Sequence, residues 1–314
     1  MIPYIPWWAL VASAHLYVSN EGGNSISDID LSTNTVVKTF PVGNRPRGMA
    51  LSPDGKTAYV TLGRESAIAV IDVARDTVID RIPCGFDPEQ VAVSPDGKTA
   101  FVSNEDSAEA TAVDLSTRQR IWTVPVGKEP EGVLVTPDGR RVYVTAETAN
   151  NVSVLDVKTG KLLKVIDVGA RPRFVAFDHR GSRAYVTAEQ GGTISVIDAP
   201  VNALLKTVQA RPAEDSTKPT GVVVSPDGRT VYYANGRANY ISVFSPAAMI
   251  VTDTIPVGKR PWGVALSPDG STLYSADGRS NQVSVVDVIH KKVLTTIPVG
   301  ERPYGTLYLK APAS

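Results

Sequence analysis

An all-β ring of seven four-stranded antiparallel blades, closed by pairing the C-terminal strand with the N-terminal blade, is the fold this sequence predicts: a seven-bladed β-propeller. Three observations predict it. Turn glycines recur at Gly55, Gly97, Gly139, Gly181, Gly228 and Gly270, spaced 42, 42, 42, 47 and 42 residues apart. Each interval carries four short strand signals with no helical periodicity. The two chain ends each hold an incomplete copy, and the two complement each other. A strand-built period of this length marks a propeller blade rather than a helical solenoid.

The repeat over residues 45–85 gives the elements in order. Residues 48–52, GMALS, form a short apolar first strand. Pro53-Asp54-Gly55-Lys56 turns the chain, because Pro presets φ and Gly accepts φ > 0. Residues 57–61, TAYVT, are β-branched and aromatic and make the second strand. Residues 68–72 and 77–83 are the third and fourth. The second-strand signature recurs at Tyr17, Tyr59, Phe101, Tyr143, Tyr185, Tyr232 and Tyr274, which counts seven blades. The third strand keeps its pattern at residues 152–156, 194–198 and 283–287. One interval is longer because of an insertion around Arg211–Thr217. The N-terminal copy lacks the Pro-Asp-Gly turn, and the C-terminal copy supplies only Arg302-Pro303-Tyr304-Gly305-Thr306-Leu307-Tyr308. Joining them leaves no open edge inside the ring.

Residues 1–14, MIPYIPWWALVASA, stand outside this scheme. They are apolar and end in Ala12-Ser13-Ala14, resembling the tail of a secretory signal with its cleavage site, although no Lys or Arg precedes them. They fall short of the ~18 residues a membrane span requires. The expected organisation is a signal-like segment over 1–14 and one propeller domain over 15–314, periplasmic or extracellular and monomeric. Lys+Arg 32 balances Asp+Glu 32, so a global pull on nucleic acid is not expected. The single cysteine, Cys84, excludes an internal disulfide and takes a valine slot of the repeat. His15, His179 and His290 lack metal-ligand spacing, and no metal is expected. None maps to the channel mouth, so no Ser-His-Asp set is expected to assemble. The repeated Asp at third-strand ends (Asp72, Asp114, Asp156, Asp198, Asp287) reads as turn capping by Asx hydrogen bonds rather than a calcium site.

These tandem units resemble the YVTN β-propeller repeats of bacterial and archaeal surface and periplasmic proteins, over roughly residues 15–308. The loops Arg45-Pro46-Arg47-Gly48, Asp87-Pro88-Glu89, Glu129-Pro130-Glu131-Gly132, Arg171-Pro172-Arg173-Phe174 and Arg260-Pro261-Trp262-Gly263 resemble more narrowly the propeller proteins associated with PQQ-dependent alcohol catabolism. That resemblance implies an exported protein linked to quinoprotein dehydrogenases. It brings no catalytic motif and no cofactor.

The resemblance also implies that the loops before the innermost strands share one face with the loops joining second and third strands. That mouth is expected to carry Arg45, Arg47, Glu89, Glu105, Glu131, Glu147, Arg171, Arg173, Glu189, Arg237, Arg260, Trp262, Arg279, Arg302 and Tyr304 as ligand-binding residues. Carboxylates concentrate over residues 87–147 and guanidinium groups over the remaining arc. Arginine pairs suit bidentate capture of carboxylate or phosphate. The same charges could instead pair across the ring and fix blade register. Three functions follow. The first is a non-catalytic binding or scaffold propeller for a protein partner or a small anionic or zwitterionic ligand. The second is a lyase, isomerase or hydrolase using paired carboxylates such as Glu89 with Glu131, or Glu105 with Glu147. The third is a surface-layer or adhesive module.

Overall fold

The computed structural model describes residues 13–210 and 217–311. Most of the signal-like segment and of the insertion after Ala210 therefore lies outside the described residues. The described chain folds into 28 strands in seven antiparallel sheets of four. Blade two shows the plan: an innermost strand Pro46–Leu51, then Thr57–Leu62, Ala67–Asp72 and an outer strand Thr77–Pro83. Blades three to seven repeat it over residues 88–125, 130–167, 172–209, 219–256 and 261–298.

Blade one is assembled from both ends of the chain. Its innermost strand, Pro303–Leu309, pairs with His15–Asn20, which continues into Ser25–Asp30 and Thr35–Pro41. The predicted closure is present.

Burial follows from this stacking. Second and third strands are covered on both faces by neighbouring blades, so they read as near-continuous apolar runs. Thr57–Leu62 and Ala67–Asp72 are buried at five of six positions each. Outer strands alternate and bury little, as in Thr35–Pro41, where only Phe40 is buried. The apolar core is divided into seven clusters, each spanning two adjacent blades. Leu309 belongs to the cluster between blades one and two, and Tyr308 packs on the one between blades seven and one.

The Pro-Asp-Gly turns occupy the face opposite the mouth, and side chains lock them. Ser52 Oγ accepts the Thr57 N–H at 3.0 Å, while Asp54 accepts from the Ser52 hydroxyl at 2.6 Å and from the Lys56 N–H at 3.1 Å. Gly55 sits at φ +73°, where a side chain would be strained. Third-strand aspartates cap the following turn. Asp114 accepts the Ser116 and Thr117 N–H groups at 2.8 Å each, and with the Ser116 hydroxyl these hold its pKa down at about 2. Cys84 is buried in an interblade cluster, and burial pushes its thiol up to about 12.

Candidate functional site

Seven prolines begin the innermost strands, and the residue before each adopts a left-handed backbone. Arg45, Asp87, Glu129, Arg171, Lys218, Arg260 and Arg302 have φ between 48° and 58°. Such a conformation costs a non-glycine residue on the order of 1–2 kcal/mol. Two hydrogen bonds offset it. Within each blade the carbonyl of this residue accepts an N–H from the loop after the second strand: Glu21, Gly63, Glu105, Glu147, Glu189, Gly236 or Gly278. In four cases the N–H is also held by an asparagine of the preceding blade: Asn24 to Arg45, Asn150 to Arg171, Asn239 to Arg260 and Asn281 to Arg302, each at 2.9 Å. The rigid ring so formed fixes where the charged side chains start.

The residue after each proline faces the channel: Arg47, Glu89, Glu131, Arg173, Thr220, Trp262 and Tyr304. They plug it. Arg47 pairs with Glu21 at 2.9 Å and with Glu89, while Arg45 joins Glu21 and Glu89 at 3.3 Å each and also Asp87. Arg173 pairs with Glu131 at 3.0 Å, Glu189 at 2.7 Å and Glu147; Arg171 pairs with Glu147 at 2.5 Å and Glu189 at 3.6 Å. The Tyr304 hydroxyl reaches across from blade one to donate to Glu131 Oε1 at 2.8 Å. Aromatic faces complete the layer. Arg47 stacks over Tyr304 at 4.6 Å, Arg173 over Trp262 at 5.3 Å, and the Trp262 and Tyr304 rings sit 5.2 Å apart.

Charges in this plug perturb one another. Carboxylate oxygens of Glu105, Glu131 and Glu147 lie within 4.8 Å of one another, as do those of Asp87, Glu89 and Glu105. Histidine spacing could not reveal these carboxylate groupings, whose donor set would also suit a hard cation. Arg47 and Arg173 already supply positive charge there. Burial opposes ionisation of Glu131, but Arg173, Arg47 and the Tyr304 hydroxyl outweigh it and lower its pKa. Burial and the negative charge of Glu131 push Glu147 up to about 8. Glu105, with no ion-pair partner among the described residues, is raised by burial and then by Glu131. Burial opposes the charge on Arg173, yet Glu131, Glu189 and Glu147 raise its pKa. The cluster thus carries more carboxylate than guanidinium, which favours the protonated forms of Glu147 and Glu105.

The loops after the second strands are of two kinds. Where blades one, three, four and five place Glu after the second strand, blades two, six and seven place Gly followed by Arg: Arg64, Arg237 and Arg279. Beside blades seven and one lies a cavity of about 530 Å³ lined by Arg47, Arg260, Arg279, Arg302, Trp262 and Tyr304, together with the carboxylates of Glu21 and Glu301. Arg260 and Arg279 make no ion pair among the described residues. Arg302 has only an exposed contact to Glu301 at 4.0 Å. Burial lowers the pKa of Arg260, reinforced by repulsion from Arg279 and Arg173. Its guanidinium lies 5.0 Å from the centre of the Trp262 ring, which Arg173 also approaches at 5.3 Å.

The structure therefore divides the predicted residues. Arg45, Arg47, Glu89, Glu131, Glu147, Arg171, Arg173 and Glu189 form the ion-paired plug, and Glu105 abuts it. Arg260, Trp262, Arg279, Arg302 and Tyr304 gather at the cavity. Arg237 is exposed and lines neither. Glu21 and Asp87 complete the plug's ion pairs, and the four asparagines were not legible as its support. A further correction concerns histidine. On the opposite face Ser13 Oγ lies 3.2 Å from His15 Nε2, and His15 Nδ1 lies 2.8 Å from Asp28. This Ser-His-Asp chain was not expected. Ser13 Oγ, however, donates to Asp30 at 2.9 Å, so its proton is directed away from the imidazole.

Comparisons with known proteins agree with this architecture. The family model described as "Lactonase, 7-bladed beta-propeller" matches residues 136–296, the YNCE-like β-propeller model residues 6–97, and the cytochrome D1 heme domain model residues 58–185. The uncharacterized protein YncE of Salmonella typhi is 44 % identical over 50 residues, a stretch covering 16 % of this chain and only 14 % of that protein. Among solved structures, Kuenenia stuttgartiensis hydrazine synthase superposes with a TM-score of 0.75 at 20 % identity, covering 85 % of this chain and 92 % of that one. A functionally unknown protein from Desulfotomaculum acetoxidans gives 0.81 at 19 %, covering 95 % and 99 %. A Bacteroides fragilis protein carrying a provisional 6-phosphogluconolactonase description gives 0.80 at 18 %, covering 95 % and 98 %. At these identities the superpositions speak for the fold alone. With 28 strands in seven closed blades and a family match over residues 136–296, the chain belongs to the seven-bladed β-propeller lactonase family.

Proposed function

We propose that this chain is an exported, non-catalytic binding propeller whose mouth captures a small anionic ligand. The observation that carries the reading is the cavity beside blades seven and one, where Arg260 and Arg279 face about 530 Å³ of space without a carboxylate partner. Unpaired guanidinium groups at a concave site focus field on an anion and offer it planar, bidentate donors. A protein partner is less favoured than a small molecule because this charge lines a recess. Export is supported by Ala12-Ser13-Ala14 standing just before the first strand, His15–Asn20, so cleavage after Ala14 would leave that strand whole. The leading-loop sequences support a setting beside quinoprotein alcohol catabolism.

One observation favours the enzymatic alternative: Glu131 and Glu147 are coupled carboxylates with pKa values pushed apart, the pattern of an acid and a base. Yet they are only 0 % and 1 % exposed, capped by arginines, and neither lines the cavity. The binding reading is tested by thermal shift with malonate and phosphate on the wild type and on Arg279→Gln. Stabilisation of the wild type that the variant lacks supports it; no stabilisation of the wild type by either anion rejects it.

A further inference from the structure

The cavity also constrains which anion it takes, an inference that rests on the binding reading above. Trp262 forms part of the cavity wall and is 6 % exposed, yet its indole Nε1 has no hydrogen-bond partner among the described residues. A buried N–H without an acceptor costs on the order of 1–3 kcal/mol, so such a group inside a binding recess points to an acceptor supplied by a ligand. The positive charge around it exceeds one unit. Arg260 and Arg279 are unpaired, while Arg302 touches only the exposed Glu301 at 4.0 Å. Arg47, which also lines the cavity, is already engaged by Glu21 at 2.9 Å and by Glu89. A monocarboxylate would answer one of the free guanidinium groups and leave another unbalanced beside it.

We infer that the ligand is a dianion, a dicarboxylate or a phosphate monoester, that bridges Arg260 and Arg279 and accepts a hydrogen bond from the Trp262 indole N–H. Two negative charges match the two unpaired guanidinium groups, and a carboxylate or phosphate oxygen supplies the missing acceptor. The aromatic pair in the lining, Trp262 against Tyr304, gives the site an apolar surface that strengthens the charged contacts made against it.

Isothermal titration at constant ionic strength tests this with malonate, inorganic phosphate and acetate on the wild type, Arg260→Gln, Arg279→Gln and Trp262→Phe. At least one dianion is expected to bind at least tenfold more tightly than acetate, and the malonate and phosphate arms separate the two chemistries. Either glutamine substitution is expected to remove that preference. Trp262→Phe keeps an aromatic face but deletes the donor together with part of the indole, so it is expected to weaken dianion binding by about tenfold, with an unchanged fold checked by circular dichroism. Acetate binding as tightly as both dianions, with dependence on the arginines retained, overturns the dianion assignment and leaves the anion reading standing. A Trp262→Phe variant that binds the preferred dianion like the wild type overturns the role of the indole. Absence of binding by all three anions overturns both readings.

Discussion

Replacing Arg173 by methionine isolates the structural half of the mouth. Methionine keeps an aliphatic stem of similar length and deletes the guanidinium, with its stack over Trp262. In the wild type that group neutralises Glu131 at 3.0 Å, Glu189 at 2.7 Å and Glu147. Glu147 and Glu189 keep Arg171, at 2.5 and 3.6 Å. Glu131, fully buried, then loses its one ion pair and keeps the Tyr304 hydroxyl, the Glu147 carboxyl and the charge of Arg47. Removing one member of a buried ion pair costs about 3–5 kcal/mol, most of it the penalty of the stranded charge. Unfolding entropy is about 2.1 cal/mol/K per residue, so roughly 300 ordered residues give about 0.6 kcal/mol/K and a fall in Tm of about 5–8 °C. Differential scanning calorimetry at pH 8 reads this directly. Because a protonated Glu131 no longer needs the guanidinium, the loss should shrink toward pH 5. Adding Glu131→Gln should restore more than half of it. A variant melting within about 1 °C of the wild type at pH 8 would refute the view that Arg173 holds the plug together.

Other expectations follow from the same geometry. The Glu147 pKa is raised from its ordinary value to about 8, so its contribution to stability is complete below the unfolded carboxylate range and lost as pH rises toward 8. Glu147→Gln should therefore gain stability relative to wild type on going from pH 5 to pH 8; an unchanged difference in Tm across that window contradicts the assignment. Deleting the strand Pro303–Leu309 opens blade one and removes Leu309 and Tyr308 from two interblade clusters, so circular dichroism should report a protein unfolded at temperatures where the full chain is folded. A truncated protein melting like the full chain sinks that account. The Cys84 thiol, buried with its pKa pushed up to about 12, should resist Ellman's reagent in the native protein and react fully in denaturant.

Much of the fold was legible because each blade is specified locally. A Pro-Asp-Gly turn, an aromatic second strand and an Asp-capped third strand recur in sequence, and each reports its own backbone conformation. Closure was legible too, since the Arg302–Tyr308 run is the innermost strand the N-terminal copy lacks. The mouth was legible only as a list of charges. Whether Arg47 faces solvent or Glu89 depends on channel width and on contacts between blades, as in the Tyr304–Glu131 bond, whose partners are 173 residues apart. The alternation after the second strand, Glu on blades one, three, four and five and Gly-Arg on blades two, six and seven, was present in the sequence, and blades six and seven are the neighbouring pair that lacks the carboxylate. It acquired meaning once the carbonyls before the prolines were seen to accept the same backbone N–H in every blade. Support by Asn24, Asn150, Asn239 and Asn281 was not legible, because asparagine in a loop carries no signal of which neighbouring N–H it accepts.

One mouth holds two sets of arginines: Arg45, Arg47, Arg171 and Arg173 are tied into the ion-paired plug, whereas Arg260 and Arg279 have no ion pair among the described residues and are the ones proposed to bind an anion. Melting Arg173→Met and Arg279→Gln side by side, with and without malonate and phosphate, tests this division most directly. The account predicts that Arg279→Gln melts like the wild type and loses its anion-induced shift, while Arg173→Met melts several degrees lower. An Arg279→Gln variant that keeps the full shift, or that is destabilised as much as Arg173→Met, would contradict it.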